Sequence, residues 1–212
     1  MLVNRSFVIY QDDFFKPDDQ IPIDPTTQFA NWDCPEALDF QRLAETIDYI
    51  QTHGALPAGY TSNEVSNTHD GSSLVATIDP WRHRVPSDDV DDEGDAVIWL
   101  IVDGFMLLSD PTITDRLDYR FFVTASYATL KRRREERQGY HTLEGYWVDP
   151  PGYFDAIVWP EFLKAHRHIP GPHQLQNGDN NGGGGCERLV LIDTDVLTIP
   201  QVLDTVVDAL WP

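Results

Sequence analysis

Cysteine is scarce in this chain: Cys34 and Cys186 are its only two, too few for a disulfide scaffold and without metal-site spacing. Positive charge is scarce too. Fifteen Lys and Arg stand against 35 Asp and Glu, and the net charge of −20 disfavours non-specific binding to nucleic acid and to anionic membranes. No apolar run approaches the roughly 20 residues of a membrane span. The opening MLVNRSFVIYQDDFF has an apolar stretch too short for a signal-peptide core, and no cleavage site follows it. These absences point to a soluble, acidic, cytoplasmic globular protein with no nucleic-acid or membrane partner. What is present agrees. Hydrophobic residues make up 41%, with 6 Trp, 8 Tyr and 10 Phe, enough for a packed core and incompatible with wholesale disorder. The 212 residues have the size of one α/β domain or two small ones.

The apolar run Phe7–Tyr10 reads as a buried strand that stops at Gln11-Asp12-Asp13. After a Pro- and Asp-rich loop, Pro35 sits where the first turn of a helix takes it, and Leu38, Leu43, Ile47 and Ile50 recur at helical spacing up to the stop signal His53-Gly54. Ala96–Val102 is almost unbroken in its apolarity, the mark of a parallel strand buried on both faces, and ends at Asp103-Gly104-Phe105. Further strands are expected at Tyr119–Val123 and Arg188–Ile192. A helix capped by Ser126 should run to Arg137, and another from Pro200 to Leu210. The stretches 56–94 and 171–187 carry little periodicity and read as flexible insertions; the first ends in an acidic block, Ser87–Asp95, of the kind that is usually a solvated loop. Strands alternating with helices give an open α/β sheet, whose ligands sit beyond the carboxyl ends of the strands. Two such ends carry acids, Asp12 and Asp103.

Several residue groups there could carry chemistry. Lys131, Arg132, Arg133, Arg134 and Arg137 are five of the 15 basic residues, and the guanidinium fork suits a polyphosphate. Arg133 and Arg137, or Arg134 and Arg137, can converge on one helix face; the structural alternative is a solvated helix paired with Glu135 and Glu136. Asp12 is either a turn former or a general base and Mg²⁺ partner, with Asp103 as a second strand-end acid. Trp32 is either core or a flat stacking platform. Asp33 beside it either caps the helix opening at Pro35 or takes paired ribose hydroxyls. The aromatic, proline-rich run Tyr146–Pro160 reads as a rigid packed segment.

In this order the segments YQDDFFKP, NWDCPEALDF, IVDGFMLL, ASYATLKRRREERQGYHTLEGYWVDPPGYFDAIVWPEF and LIDTD resemble the nicotinamide riboside kinases, fungal members above all. The resemblance implies a P-loop kinase-like parallel sheet flanked by helices, with residues 1–212 as one nucleoside-kinase-like domain. It also implies phosphorylation of the ribose 5′-hydroxyl of nicotinamide riboside from ATP and Mg²⁺, giving nicotinamide mononucleotide for NAD biosynthesis. On the matching positions, Asp12 is the catalytic base and, with Asp103, a metal partner. Phe14 and Phe15 line the substrate, Trp32 stacks on the nicotinamide ring and Asp33 binds the ribose hydroxyls. Arg134 and Tyr140 are substrate-side residues, and Arg133 and Arg137 nucleotide-side ones. An aromatic face attracts the cationic pyridinium of such a substrate by about 0.5–2 kcal/mol.

The family pattern also has a strand and a loop of the form G-x-x-x-x-G-K-[ST] ahead of the segment matching Phe7–Tyr10, and no such loop occurs in the 212 residues. Gly182–Gly185 is followed by Cys186 and Glu187 and does not replace it. The expectation is a kinase-like chain without its amino-terminal strand and phosphate loop, which should be unstable or should recruit another strand. Two other readings remain beside it: another nucleoside kinase, of the uridine kinase type, and a non-catalytic nucleoside-binding chain.

Overall fold

A computed structural model describes residues 5–62, 97–137, 139–141, 145–169 and 189–211. The acidic block Ser87–Asp95 and the glycine-rich stretch, expected to be flexible, lie outside the described residues. The strands Arg5–Tyr10 (β1) and Ile98–Asp103 (β2) pair in parallel, register Tyr10↔Asp103, so both end at the same sheet edge. Helix α1, Phe40–His53, covers one face of this pair. Ile9, Phe14, Leu43, Ala44, Ile47, Ile50, Leu107 and Ile113 form the core there, with Phe7, Leu100 and Val102 packed against it. The alternate residues turn the other way. Val8 is 41% and Ile101 53% exposed, so β2 is not the doubly buried strand its apolarity announced. Among the described residues the second face is met mainly at Trp99, whose ring lies 5.4 Å from that of Trp211.

Pro35 opens only a short 3₁₀ turn, Pro35–Ala37, and α1 begins five residues later, capped by Asp39, whose carboxylate accepts the Arg42 N–H at 2.9 Å. The helix stops at Gly54, as its sequence announces, in the left-handed conformation (φ +60°). The backbone conformation there favours glycine, and a β-carbon would lie 2.9 Å from Ile98 Cδ1, a side-chain end that would have to move aside.

A short helix, Pro111–Thr114 (α2), leads from β2 to the strand Arg120–Thr124 (β3), which pairs in parallel with Leu189–Asp193 (β6). Between β3 and β6 come helix Tyr127–Glu135 (α3), the two-residue strands Tyr140–His141 (β4) and Tyr146–Trp147 (β5), a π-helical turn Phe154–Val158 and helix Trp159–Ala165 (α4). Helix Ile199–Leu210 (α5) follows β6 and packs on it. The fold is α/β, with short parallel sheets flanked by helices, consistent with a P-loop kinase-like fold. The expected open sheet is divided, however: β1–β2 and β3–β6 are separate parallel pairs, and no described strand joins β2 to β3. Among the described residues no helix is long and apolar enough to cross a membrane.

Helix α3 is short of its expected end because the chain turns at Arg137 and reaches Gly139 at φ +135°. Its start is held twice, by the Ser126 cap and by Asp195 beyond β6, which accepts the Ser126 N–H at 2.7 Å. Hydrogen bonds from the Ser126 and Thr129 side chains, then from that N–H, hold the Asp195 carboxyl down to about 2. Because its folded value lies below the unfolded one of 3.8, its contribution is present above that pH and lost as pH falls through about 2. Asp195→Asn should therefore lower the denaturation midpoint at about pH 6, with the difference from the unsubstituted protein shrinking toward pH 2. A difference constant over that range would show that the carboxylate charge contributes nothing.

Candidate active site

The turn after β1 places the first candidate. Of its four residues, Gln11–Phe14, three point inward and only Asp12 is exposed. Gln11 is fully buried, and its Oε1 accepts the Met106 N–H at 2.9 Å, tying the end of β1 to the loop after β2. Gly104 makes this approach possible, since a β-carbon there would come within 2.5 Å of Gln11 Cβ. Asp13 is buried and accepts from the Tyr60 hydroxyl at 2.6 Å and the Ser62 hydroxyl at 3.0 Å. The first residues of the expected insertion 56–94 are thereby anchored on this turn. Arg42 donates to the Asp13 carbonyl at 2.7 Å and lies over the Phe14 ring. Asp103, exposed, ends β2 opposite Tyr10, so the two candidate acids leave neighbouring strands at one edge.

Phe14 and Phe15 separate. Phe14 belongs to the core under α1 and is not brought to the other candidates. Phe15 faces the opposite way, its ring 5.4 Å from Trp32 edge-on and 6.0 Å from Phe105 in a stack. Trp32 is 8% exposed, packed with Ile21, Cys34, Ala37, Phe15 and Trp147. Its Nε1–H is buried without a hydrogen-bond partner among the described residues. Burial also pushes the neighbouring Cys34 thiol up to about 11, which keeps it protonated and unreactive. The Trp32 backbone is fixed from a distance: its N–H donates to the Tyr153 hydroxyl at 3.0 Å, and that hydroxyl donates to the Ala30 carbonyl at 2.9 Å.

Asp33 caps no helix. Its carboxylate accepts both Nη groups of Arg134, at 2.8 and 3.2 Å. The same guanidinium donates through Nε to Asp149 at 2.7 Å and through Nη2 at 3.3 Å, above the Tyr153 ring. Asp149 also accepts the Trp147 Nε1–H at 2.8 Å. Burial raises the Asp33 carboxyl, against the lowering by the Arg134 charge and hydrogen bonds. A carboxylate has about four lone-pair positions, so Asp33 keeps acceptor capacity for hydroxyl groups.

The basic cluster divides. Arg133, about 100° round α3 from Arg134, donates to Thr194 Oγ1 at 2.8 Å, beyond the end of β6. Arg137 lines a pocket of about 200 Å³ with Arg134, Asp149, Pro150, Pro151 and Tyr153. Arg134 and Arg137 thus converge, as their spacing allows, while Lys131 and Arg132 form the expected ion pairs with Glu135 and Glu136. Tyr140 lies in β4 by its backbone; its side chain is outside the described residues. Reasoning from the sequence passed over Trp147 and Asp149. An acid just before Pro150-Pro151 in an aromatic run was the available signal, but nothing in it names Arg134 as partner.

The chain is similar to three curated fungal proteins named nicotinamide riboside kinase. That of Saccharomyces cerevisiae is 35% identical over 184 residues, covering 85% of this chain and 72% of the yeast protein. That of Schizosaccharomyces pombe is 35% identical over 195 residues, 92% of this chain and 80% of the relative. That of Eremothecium gossypii is 33% identical over 222 residues, 99% and 83%. No protein-family model matches the chain.

Proposed function

The chain belongs to the nicotinamide riboside kinase family, and from that premise we propose how its own residues share the work of phosphorylating the ribose 5′-hydroxyl of nicotinamide riboside from ATP. The product is nicotinamide mononucleotide, for NAD biosynthesis. Residues 1–212 act as one nucleoside-kinase-like domain. The observation that carries the reading is the Arg134–Asp33 pair beside Trp32, which brings a ribose-binding acid, its arginine and an aromatic face into one cluster. Asp33 accepts the ribose hydroxyls on lone pairs that Arg134 leaves open. Trp32 takes the nicotinamide ring, with Phe15 at its edge. Trp147, on the two-residue strand β5, is the cover that shifts to admit the ring. Asp12 accepts the 5′-hydroxyl proton as the phosphoryl group is transferred, a role worth about 10²–10⁴ in rate. In this reading Arg133 and Arg137 serve the nucleotide, and Tyr140 serves the nucleoside.

Mg²⁺ is part of the proposal. The described residues contain no group of three or more potential ligands, but Mg²⁺ is commonly held by one or two carboxylates together with phosphates and water. Asp12 and Asp103, at adjacent strand ends, fit that requirement. Bound there, the ion would neutralise phosphate charge. A cytoplasmic location is proposed too, supported by the acidic composition.

Calorimetry on the 212-residue polypeptide tests the division of labour. Nicotinamide riboside should bind, whereas Mg·ATP should bind only weakly, because arginines without a G-x-x-x-x-G-K-[ST] loop offer no ordered backbone cradle. Micromolar Mg·ATP affinity would refute the nucleotide half of this reading, and absence of riboside binding the nucleoside half.

A further inference from the structure

One arginine between two carboxylates leaves a negative surplus. Arg134 directs Nη1 and Nη2 to Asp33, and Nε and Nη2 to Asp149. The side chains of Asp33, Arg134 and Asp149 are only 9%, 21% and 20% exposed. Glu135 and Arg137, which line the adjoining pocket, offset each other. The surplus is therefore about one negative charge, partly withdrawn from water, where its field is screened less than at an open surface. Aromatic rings surround it. Trp147 donates to Asp149 and packs 5.8 Å from Trp32, while Tyr153 lies under Arg134 and edge-on to Trp147 at 5.7 Å.

We propose that Asp149 is a specificity-determining residue, whose charge makes this site select cationic pyridinium nucleosides over uncharged ones. The proposal rests on the reading of Trp32 and Asp33 as the nucleoside site. Arg134 is shared evenly, two hydrogen bonds to each acid, so it leaves one carboxylate charge of the two unmatched. Asp33 also holds the ribose, which is common to all ribosides, whereas Asp149 makes no ribose contact in this reading, so its charge can be removed separately. If it only held Arg134 in place, its loss would weaken all ribosides alike, because Arg134 acts on the ribose side. If its charge is what matters, the loss falls on the cation.

Nicotinamide riboside and its 1,4-dihydro form share the ribose and carboxamide but differ in charge, so they separate these roles. Calorimetric affinities of the protein for both should favour the charged form. Asp149→Asn should shrink that preference by about tenfold, the order of effect of one partly screened charge, with the affinity for the dihydro form held within about twofold. Asp149→Glu, which keeps the charge, should keep the preference. Raising the salt concentration should narrow the preference of the unsubstituted protein, a measurement that stands even if Asp149→Asn fails to fold. Parallel losses for both ligands, or a preference that ignores salt, would overturn the proposal while leaving the nucleoside site intact. Failure of the unsubstituted protein to bind either riboside would instead overturn the site reading, and the proposal with it.

Discussion

Replacing Asp12 by asparagine is expected to lower turnover by about 10²-fold or more, in a chain extended ahead of Met1 by a strand and a G-x-x-x-x-G-K-[ST] loop. Asparagine keeps the shape of the side chain but cannot accept the hydroxyl proton. The setting favours a clean result. Gln11, Asp13 and Phe14 anchor the turn from inside, and asparagine keeps the size of the exposed Asp12 side chain. Riboside affinity, which the proposed function assigns to Trp32 and Asp33, should change little, as should nucleotide binding without Mg²⁺. The loss then falls on kcat, and KM for the riboside stays near its original value. An unaltered kcat in Asp12→Asn would rule the residue out as base.

The place of Asp12 was legible because it follows a strand end, a position defined by local pattern, and β1 and β2 bring it to the same edge as Asp103. Asp33 was only half legible. Its sequence neighbours allow a helix cap as well as a ribose ligand; the structure sets the cap aside, because Asp39 takes the capping role and the Asp33 carboxylate pairs with Arg134, 101 residues away. No local periodicity encodes such a pair. Phe14 and Phe15 make the same point at shorter range. Adjacent and chemically alike, they part because the turn sends one under α1 and the other toward Trp32. The run Ala96–Val102 misled for another reason: apolarity reports what a strand can bury, and α1 covers just one face of β2 among the described residues. The order of the expected strands and helices, by contrast, followed from periodicity and punctuation, with ends displaced by one or two residues except at α1, which opens five residues after Pro35.

Arg134→Met should be the most destabilising single change at the site. Methionine keeps much of the apolar stem but leaves Asp33 and Asp149 facing each other without a cation. Breaking a buried ion pair by removing one partner costs about 3–5 kcal/mol, because the remaining charge stays desolvated. Asp33, 7% exposed, is in that situation. The pH dependence follows from its carboxyl, which burial already raises above the unfolded value of 3.8 despite Arg134. A raised folded value means that protonation favours the folded state, so the stability is fully present below 3.8 and is lost as pH rises through the folded value. Removing Arg134 takes away both lowering influences, its charge and its hydrogen bonds, and moves that loss to higher pH. The deficit of Arg134→Met should therefore be larger at about pH 7.5 than at about pH 5, read from denaturation midpoints at both. Removing the exposed Lys131–Asp155 pair should cost far less and serves as the comparison. A loss of under about 1 kcal/mol in Arg134→Met, equal at the two pH values, would mean that water reaches the cluster and screens it. In that case Asp33 would not be the desolvated acid that the proposed ribose binding requires.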